Sequence, residues 1–133
     1  MNKASYNILI IEDNESIRNV LKMTLEIEGF SACEASDGIE ALSALKRSPL
    51  PNLIFLDLLM PNMNGFEFLE SIKKDLTDPV VNIPIIAMSA VANSHRDNLS
   101  QTQEVLSKPV DLNKLLELVY RFFGENSAGS GGY

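Results

Sequence analysis

The chain has very little of what disulfides, metal clusters of the Cys/His type and membrane spans require. Its 133 residues include a single cysteine, a single histidine and no tryptophan. One cysteine cannot form an internal disulfide, and Cys33, in an apolar stretch, is expected to be a buried structural thiol. No apolar run approaches the ~18 residues that span a bilayer, and the N-terminus lacks a signal-peptide pattern. We therefore expect a soluble, cytoplasmic protein that makes no membrane contact.

Positive charge is also scarce. The chain carries 11 lysines and arginines against 18 acidic residues, a formal net charge of −7. Nucleic-acid surfaces normally need a basic patch, so direct nucleic-acid binding is not expected. The length is that of one ordinary domain. We expect a domain over residues 1–124, followed by a Gly/Ser-rich flexible linker or added tail over residues 125–133.

Apolar segments alternate with helical patterns along the whole chain. Runs rich in Ile, Leu and Val are typical of strands that are buried on both faces of a parallel sheet. The five predicted strands cover residues 6–11, 31–35, 53–56, 83–88 and 104–107. This alternation predicts a doubly wound α/β fold: a flavodoxin-like three-layer sandwich around a five-stranded parallel sheet of order 2-1-3-4-5.

Helical periodicity between the strands predicts five helices, of which the fourth is expected to be short and polar. Asn14, Asp37 and Asp111 are suited to N-cap positions, and Gly29 to a left-handed C-cap. Glu40, three residues after Asp37, would complete a capping box. The residues predicted to face the core from the other four helices are Ile17, Val20, Leu21 and Leu25; Ile39, Leu42 and Leu45; Phe66, Leu69 and Ile72; and Leu112, Leu115, Leu116, Val119, Tyr120 and Phe123.

Polar side chains follow four of the predicted strands where each strand ends. Glu12 and Asp13 follow the first strand, Asp57 the third, Ser89 the fourth and Lys108 the fifth. In open α/β sheets the ligand crevice lies outside the carboxyl ends of the strands. The predicted strand order therefore brings these side chains to one site and sets Asp13 beside Asp57.

Such a site requires compensating positive charge. Carboxylates ~4 Å apart repel one another by roughly 4 kcal/mol at an effective dielectric constant of 20. Mg²⁺ prefers oxygen ligands and is often held by one or two carboxylates together with phosphate oxygens. With Lys108, a magnesium ion would neutralise Glu12, Asp13 and Asp57. This arrangement suits phosphoryl transfer to a carboxylate, with Asp57 as the nucleophile and Ser89 donating to a phosphoryl oxygen.

These motifs resemble the response-regulator receiver domains of bacterial two-component signalling, over about residues 6–123. The resemblance implies that a histidine kinase or histidine phosphotransfer protein donates phosphate to Asp57, and that the Leu59 carbonyl completes the Mg²⁺ shell. It also implies a cis peptide bond before Pro109, and a protein that catalyses only its own phosphorylation and dephosphorylation. The residues that carry it are Glu12-Asp13, Asp57-Leu58-Leu59-Met60-Pro61 with Gly65, Ser89-Ala90 and Lys108-Pro109.

In such proteins phosphorylation shifts the face made by the fourth helix, fifth strand and fifth helix. That face is expected to control a downstream protein, whose identity is unknown, and could support a homodimer. This chain departs from the family pattern at Val105, where many receivers carry an aromatic switch residue. Leu59 and Val91 occupy positions that tune dephosphorylation, and because both are apolar we expect slow-to-moderate hydrolysis.

Three alternative functions use a similar framework. A haloacid-dehalogenase-like phosphatase would need a second aspartate where the chain has Leu59. A flavodoxin-like flavin carrier would need Ser, Thr and Gly in the first loop, where the chain has acidic residues. A pseudo-receiver would only bind partners, which the intact acidic pair, Asp57 and Lys108 argue against. His95, in a polar segment, is expected to be a solvated histidine and not a phosphoryl carrier.

Overall fold

The structure is a computed structural model that describes residues 2–60, 62–75, 82–90 and 104–124. Most of the predicted fourth helix, with Val91 and His95, lies outside the described residues, as does the predicted tail over residues 125–133. A 3₁₀ turn, Lys3–Ser5, precedes the first strand. The strands are β1 (Asn7–Ile11), β2 (Ser31–Ala35), β3 (Leu53–Asp57), β4 (Ile85–Ser89) and β5 (Glu104–Ser107); the helices are α1 (Glu15–Glu28), α2 (Gly38–Ala44), α3 (Gly65–Asp75) and the last helix (Leu112–Phe123).

The five strands form one parallel sheet in the order β2-β1-β3-β4-β5, which confirms the predicted fold. Ile11 pairs with Leu56, so Glu12 and Asp57 end neighbouring strands. Ser89 pairs with Ser107 at the other side of the sheet. The crossover connections thus bring the polar ends of β1, β3, β4 and β5 to one edge.

Alternate residues of each central strand supply two separate hydrophobic cores. Leu9 and Leu56 face α2 and α3, whereas Ile10 and Phe55 face α1 and the last helix. All five residues of β3 are buried, as its continuous apolar run predicts. Full burial of each of the four apolar side chains, residues 53–56, contributes about 1.5–3 kcal/mol, so β3 is firmly held at the centre of the sheet.

The predicted helix ends are confirmed. Asn14 Oδ1 accepts a hydrogen bond from the Ile17 amide at 2.9 Å, and Asp37 Oδ1 accepts one from the Glu40 amide at 2.8 Å. Asp111 caps the last helix through the amides two and three residues later. Gly29 ends α1 with φ of 110°, in the left-handed region that favours glycine. Local sequence therefore determines where these helices begin and end.

The predicted helix faces are partly wrong. Ile17, Val20 and Ile39 are 38%, 49% and 55% exposed, whereas Phe68 and Leu118, which were not assigned to the core, are buried. Helical spacing identifies an apolar stripe, but the angle at which a helix packs on the sheet decides which part of the stripe is covered. The stripe on α1 is wider than the surface that covers it.

Cys33 is half-buried and not fully buried as predicted. Burial is the largest cause that raises the pKa of its thiol. A thiol with a raised pKa is a poor nucleophile, which agrees with a structural role. In the described part of the chain, no helix is long and apolar enough to cross a membrane.

Candidate functional site

Three carboxylates converge at the carboxyl edge of the sheet. One oxygen from each of Glu12, Asp13 and Asp57 lies within 4.8 Å of the other two. Glu12 and Asp57 are only 1% and 3% exposed, whereas Asp13 faces solvent. The prediction that Asp13 lies beside Asp57 is confirmed by this geometry.

The ammonium group of Lys108 lies between the two buried carboxylates. Its Nζ is 2.9 Å from Glu12 Oε1 and 3.2 Å from Asp57 Oδ1. Burial alone would lower the pKa of Lys108, but the close contact with Glu12 and the negative charges of both carboxylates outweigh it and raise the pKa. Lys108 therefore carries a permanent positive charge within reach of Asp57.

One lysine does not neutralise this cluster. Burial, followed by the negative charge of Glu12, raises the pKa of Asp57 to about 7, although Lys108 acts in the opposite direction. A carboxyl group with an ordinary pKa near 3.8 thus binds a proton close to neutral pH. The site is short of positive charge when only its own residues are counted.

The donor set fits a hard divalent cation. Glu12 Oε2 accepts a hydrogen bond from the Asn14 amide at 3.2 Å. Glu12 Oε1 is fully buried, and no donor in the described residues reaches it with hydrogen-bond geometry, even though Lys108 Nζ is close. A buried acceptor with spare capacity beside two further carboxylates matches the oxygen ligands that Mg²⁺ prefers. The acidic cluster could therefore hold a metal ion.

All of the predicted site residues line a single cleft of about 300 Å³. Leu59, on the rim, is 59% exposed, and its amide donates to Asp57 Oδ1 at 3.3 Å. Ser89 is buried, and its carbonyl accepts a hydrogen bond from the Lys108 amide at 3.0 Å. The residues in the cleft wall are Glu12, Asp13, Asn14, Ile17, Asp57, Leu59, Ser89, Ala90 and Lys108.

Backbone contacts hold the loop that follows Asp57 against the sheet. The Gly65 amide donates to the Leu58 carbonyl at 3.0 Å, and the Leu58 amide donates to the Met88 carbonyl at 3.2 Å. A Cβ on Gly65 would lie only 2.7 Å from Leu58 Cα and 2.8 Å from the Asp57 carbonyl oxygen. Only glycine allows this close approach of the backbone.

The peptide bond before Pro109 is cis, as the resemblance implied.

Arg18 supports the site, although no sequence pattern predicts that role. Arg18, on α1, donates from Nη1 to the Glu12 carbonyl at 2.8 Å and from Nε to Glu34 at 2.9 Å. It thus ties Glu12, the residue directly after β1, to both α1 and β2. No motif marks Arg18, because a charged residue on a helix face is usually solvated.

The fold and the site together define a flavodoxin-like α/β domain with an acidic cleft at the carboxyl edge of its sheet. The family model for the response regulator receiver domain matches residues 8–120, and the chain belongs to that family. It is the receiver domain type found in two-component response regulators.

Similar proteins of known class agree with this assignment. The chain is 29% identical over 122 residues to the polar-differentiation response regulator DivK of Brucella anthropi, covering 90% of this chain and 97% of the relative. It is 40% identical over 86 residues to a probable transcriptional regulator, ycf27, of Porphyridium aerugineum. That match covers 65% of this chain and spans only 33% of ycf27.

Solved structures show the same fold. The chemotaxis response regulator CheY4 of Vibrio cholerae has a TM-score of 0.77 and 26% identity, covering 88% of this chain and 98% of that one. The response regulator protein TrrA of Thermotoga maritima, solved in complex with Mg²⁺-BeF, has a TM-score of 0.75 and 29% identity, with coverage of 88% and 98%.

Proposed function

We propose that Asp57 accepts a phosphoryl group from the phosphohistidine of a partner histidine kinase or histidine phosphotransfer protein. The observation that carries this proposal is the position of the Asp57 carboxylate. It is buried, it belongs to the cluster of three carboxylates that could hold a metal ion, and it lies 3.2 Å from the Lys108 ammonium. A nucleophilic oxygen, a cation site and a fixed positive charge are the parts that phosphoryl transfer to a carboxylate requires.

The reaction is a displacement at phosphorus. An oxygen of the Asp57 carboxylate forms the new O–P bond while the N–P bond of the phosphohistidine breaks. The electron pair of that bond returns to the imidazole nitrogen. Because the other ring nitrogen of the reacting phosphohistidine carries a proton, the products are an acyl phosphate on Asp57 and a neutral imidazole on the donor. Lys108 balances negative charge on the transferred group, and Ser89, at the end of β4, donates its hydroxyl to a phosphoryl oxygen.

The metal in this proposal is Mg²⁺. Glu12, Asp13 and Asp57 would hold it through side-chain oxygens, and Leu59 through its backbone carbonyl. When bound, the ion supplies charge neutralisation and alignment of the phosphoryl group. The chain's own contribution is to keep the carboxylates of Glu12 and Asp57 out of bulk water. Electrostatic interactions are stronger in such a water-excluded site than in bulk water.

A groove beside the cleft suits the approach of the phosphodonor. The groove has a volume of about 590 Å³, and it shares Ile17, Ala90 and Lys108 with the acidic cleft. Its walls are largely apolar: Val20, on α1, is 49% exposed, and Val110 follows β5. We propose that an apolar helix of the phosphodonor lies in this groove and presents its phosphohistidine to Asp57.

Phosphorylation of Asp57 would draw Ser89 and Lys108 toward the phosphoryl group. Because these residues end β4 and begin the β5–helix connection, the face of the fourth helix, β5 and the last helix would shift between two populated states. That face would then control a downstream protein, and a homodimer through it stays a prediction. Val105 is half-buried on β5 and packs against the core, so the coupling would not use an aromatic side chain.

Labelling with a small phosphodonor tests the proposal. Incubation with acetyl phosphate or phosphoramidate and Mg²⁺ is expected to add about 80 Da, one phosphoryl group, by intact mass spectrometry. Asp57→Asn and Asp57→Ala should abolish the addition, whereas the matched variant Asp111→Asn, in a helix cap, should keep it. Equal labelling of Asp57→Asn and the parent chain would refute the assignment.

The same preparation separates the alternatives. A phosphatase would turn over small phosphomonoesters, and none is expected because Leu59 occupies the position of the second aspartate. A flavin carrier would be pigmented. A pseudo-receiver would show neither labelling of Asp57 nor a response to Mg²⁺.

A further inference from the structure

The loop of residues 58–64, which connects β3 to α3, is closed at its base by the backbone. The Leu58 carbonyl accepts the Gly65 amide at 3.0 Å, which brings the two ends of the loop together. Leu59, the backbone ligand in the proposed metal site, is the first residue after this closure. Its own side chain is 59% exposed, so core packing does little to hold it in place.

The other side of the loop is tied to α2 by one side-chain hydrogen bond. Asn62 Nδ2 donates to Asp37 Oδ2 at 2.9 Å. The second oxygen of the same carboxylate, Oδ1, accepts the Glu40 amide at 2.8 Å and caps α2. The bond to the Glu40 amide, followed by the bond to Asn62, lowers the pKa of Asp37. The contact is therefore a hydrogen bond to an ionised acceptor, which is stronger than one between neutral groups.

The backbone next to this bond is in close contact as well. The Gly38 amide donates to the Met63 carbonyl at 3.2 Å. A Cβ on Gly38 would lie only 2.8 Å from that carbonyl oxygen, so glycine is needed for the approach. The loop is thus held against the start of α2 by two hydrogen bonds. One joins the side chains of Asn62 and Asp37, and the other joins the backbones of the next residues, Met63 and Gly38.

The backbone conformation of Asn62 explains why asparagine suits the position that donates to Asp37. Its φ is 65°, and it is the only non-glycine residue with positive φ in the described ranges. Asparagine tolerates the left-handed region better than most residues. Glycine would tolerate it too, but it has no amide to offer Asp37. At this position, asparagine therefore combines the required backbone angle with a donor.

From these contacts we propose that Asn62 and Asp37 are positioning residues for the metal site. Their hydrogen bond fixes the outer half of the loop, and the Leu58–Gly65 closure fixes the base. Of the described residues, only Leu59 and Met60 lie between these two anchors, so Leu59 keeps its place at the rim before a metal ion binds. This inference rests on the proposed function, since it concerns the backbone ligand of that site. Support of this kind around the ligands commonly tunes metal affinity.

Two substitutions remove the bond from opposite ends. Asn62→Gly keeps the backbone angle and deletes the donor. Asp37→Ser keeps a good N-cap for α2 and deletes the second acceptor oxygen. The matched control is Asp111→Ser, the same change at the N-cap of the last helix; among the described residues, the Asp111 carboxylate accepts hydrogen bonds only from amides of its own helix.

Mg²⁺ affinity, measured by titration followed through backbone amide shifts, is the first measurement. Asn62→Gly and Asp37→Ser are each expected to weaken Mg²⁺ binding about three- to tenfold, the equivalent of one hydrogen bond. The double variant should bind Mg²⁺ about as well as the single variant with the lower affinity, because both changes break the same hydrogen bond. Asp111→Ser should bind as the parent chain does.

Hydrogen exchange of the Gly38 amide in the metal-free protein is the second measurement, and it does not depend on a metal. Exchange should be faster in Asn62→Gly and Asp37→Ser, and unchanged in Asp111→Ser. Unaltered Mg²⁺ affinity in Asn62→Gly, or an equal loss in Asp111→Ser, would overturn the positioning role. A parent chain whose Mg²⁺ response is absent, or is the same in Asp57→Asn, would instead refute the metal site, and the positioning role would fall with it.

Discussion

Lys108 Nζ lies 3.2 Å from Asp57 Oδ1 and 2.9 Å from Glu12 Oε1, so one half-buried ammonium group contacts two buried carboxylates. The lysine comes from the end of β5 and Asp57 from the end of β3, so β4 separates their strands in the sheet. One ammonium thus serves two carboxylates that are almost completely removed from water. This arrangement should affect both the stability of the metal-free protein and the phosphorylation of Asp57.

Removal of the ammonium should destabilise the metal-free protein. In Lys108→Met the carboxylates of Glu12 and Asp57 lose their positive neighbour, and we expect the free energy of unfolding to fall by about 1–3 kcal/mol near pH 8. Urea unfolding measures this change. Lys114→Met, at an exposed position on the last helix, should have little effect. An equal loss in both variants would mean that Lys108 acts through general charge and not through this cluster.

The raised pKa of Asp57 predicts a specific pH dependence. Because the folded protein holds this proton more tightly than the unfolded chain, Asp57 contributes stability below about pH 4 that is lost as the pH rises through about 7. The full change would be roughly 4 kcal/mol at most. Asp57→Asn should remove this decline and be the more stable protein near pH 8. Parallel stability–pH curves for the two proteins would contradict the assigned environment.

The apolar groove predicts a difference between protein and small-molecule phosphodonors. Val20→Asp should slow phosphotransfer from a phosphohistidine protein at least about tenfold, since a charge would enter an apolar contact of the groove and Val20 does not line the acidic cleft. Phosphorylation by acetyl phosphate should change little. Ile27→Asp is the matched control, because Ile27 is 81% exposed on the same helix and does not line the groove. Slower phosphorylation of Val20→Asp by both donors would show that the substitution damages the acceptor site itself.

Ser89 should matter for the response to phosphorylation more than for phosphorylation itself. Ser89→Ala is expected to retain labelling of Asp57 but to reduce, by about half or more, the amide shift changes that beryllofluoride causes in β5 and the last helix. Ser107→Ala provides the comparison, because Ser107 is the register partner of Ser89 on β5 and is exposed. Equal shift changes in Ser89→Ala and the parent chain would remove Ser89 from the coupling.

The fold could be predicted in detail because the signals that specify it are local. Apolar runs such as the one ending at Asp57 indicate buried parallel strands whatever surrounds them, and cap residues such as Asn14 and Gly29 act on their nearest neighbours. Once strand order is known, the positions that follow the strands must share one edge of the sheet. The grouping of Glu12, Asp13, Asp57, Ser89 and Lys108 in one cleft follows from this rule alone.

Contacts between distant segments could not be predicted in this way. Nothing in the local sequence shows that α1 leaves Ile17 and Val20 uncovered, since that depends on the distance between α1 and the last helix. The bonds from Arg18 to Glu12 and from Asn62 to Asp37 join residues whose side chains would suit a solvated surface equally well. Their partners are chosen by how whole helices and loops pack.

The amino-acid sequence by itself determined the strand order, the helix caps and the set of polar residues at the carboxyl edge, because each depends on short-range chemistry and on one topological rule. Only the tertiary structure decided how deeply Glu12 and Asp57 are buried, where the Lys108 ammonium lies between them, and how Asn62 anchors the loop of Leu59. Burial and hydrogen-bond geometry depend on the packing of segments that are far apart in the chain, and no local pattern encodes the distances that result.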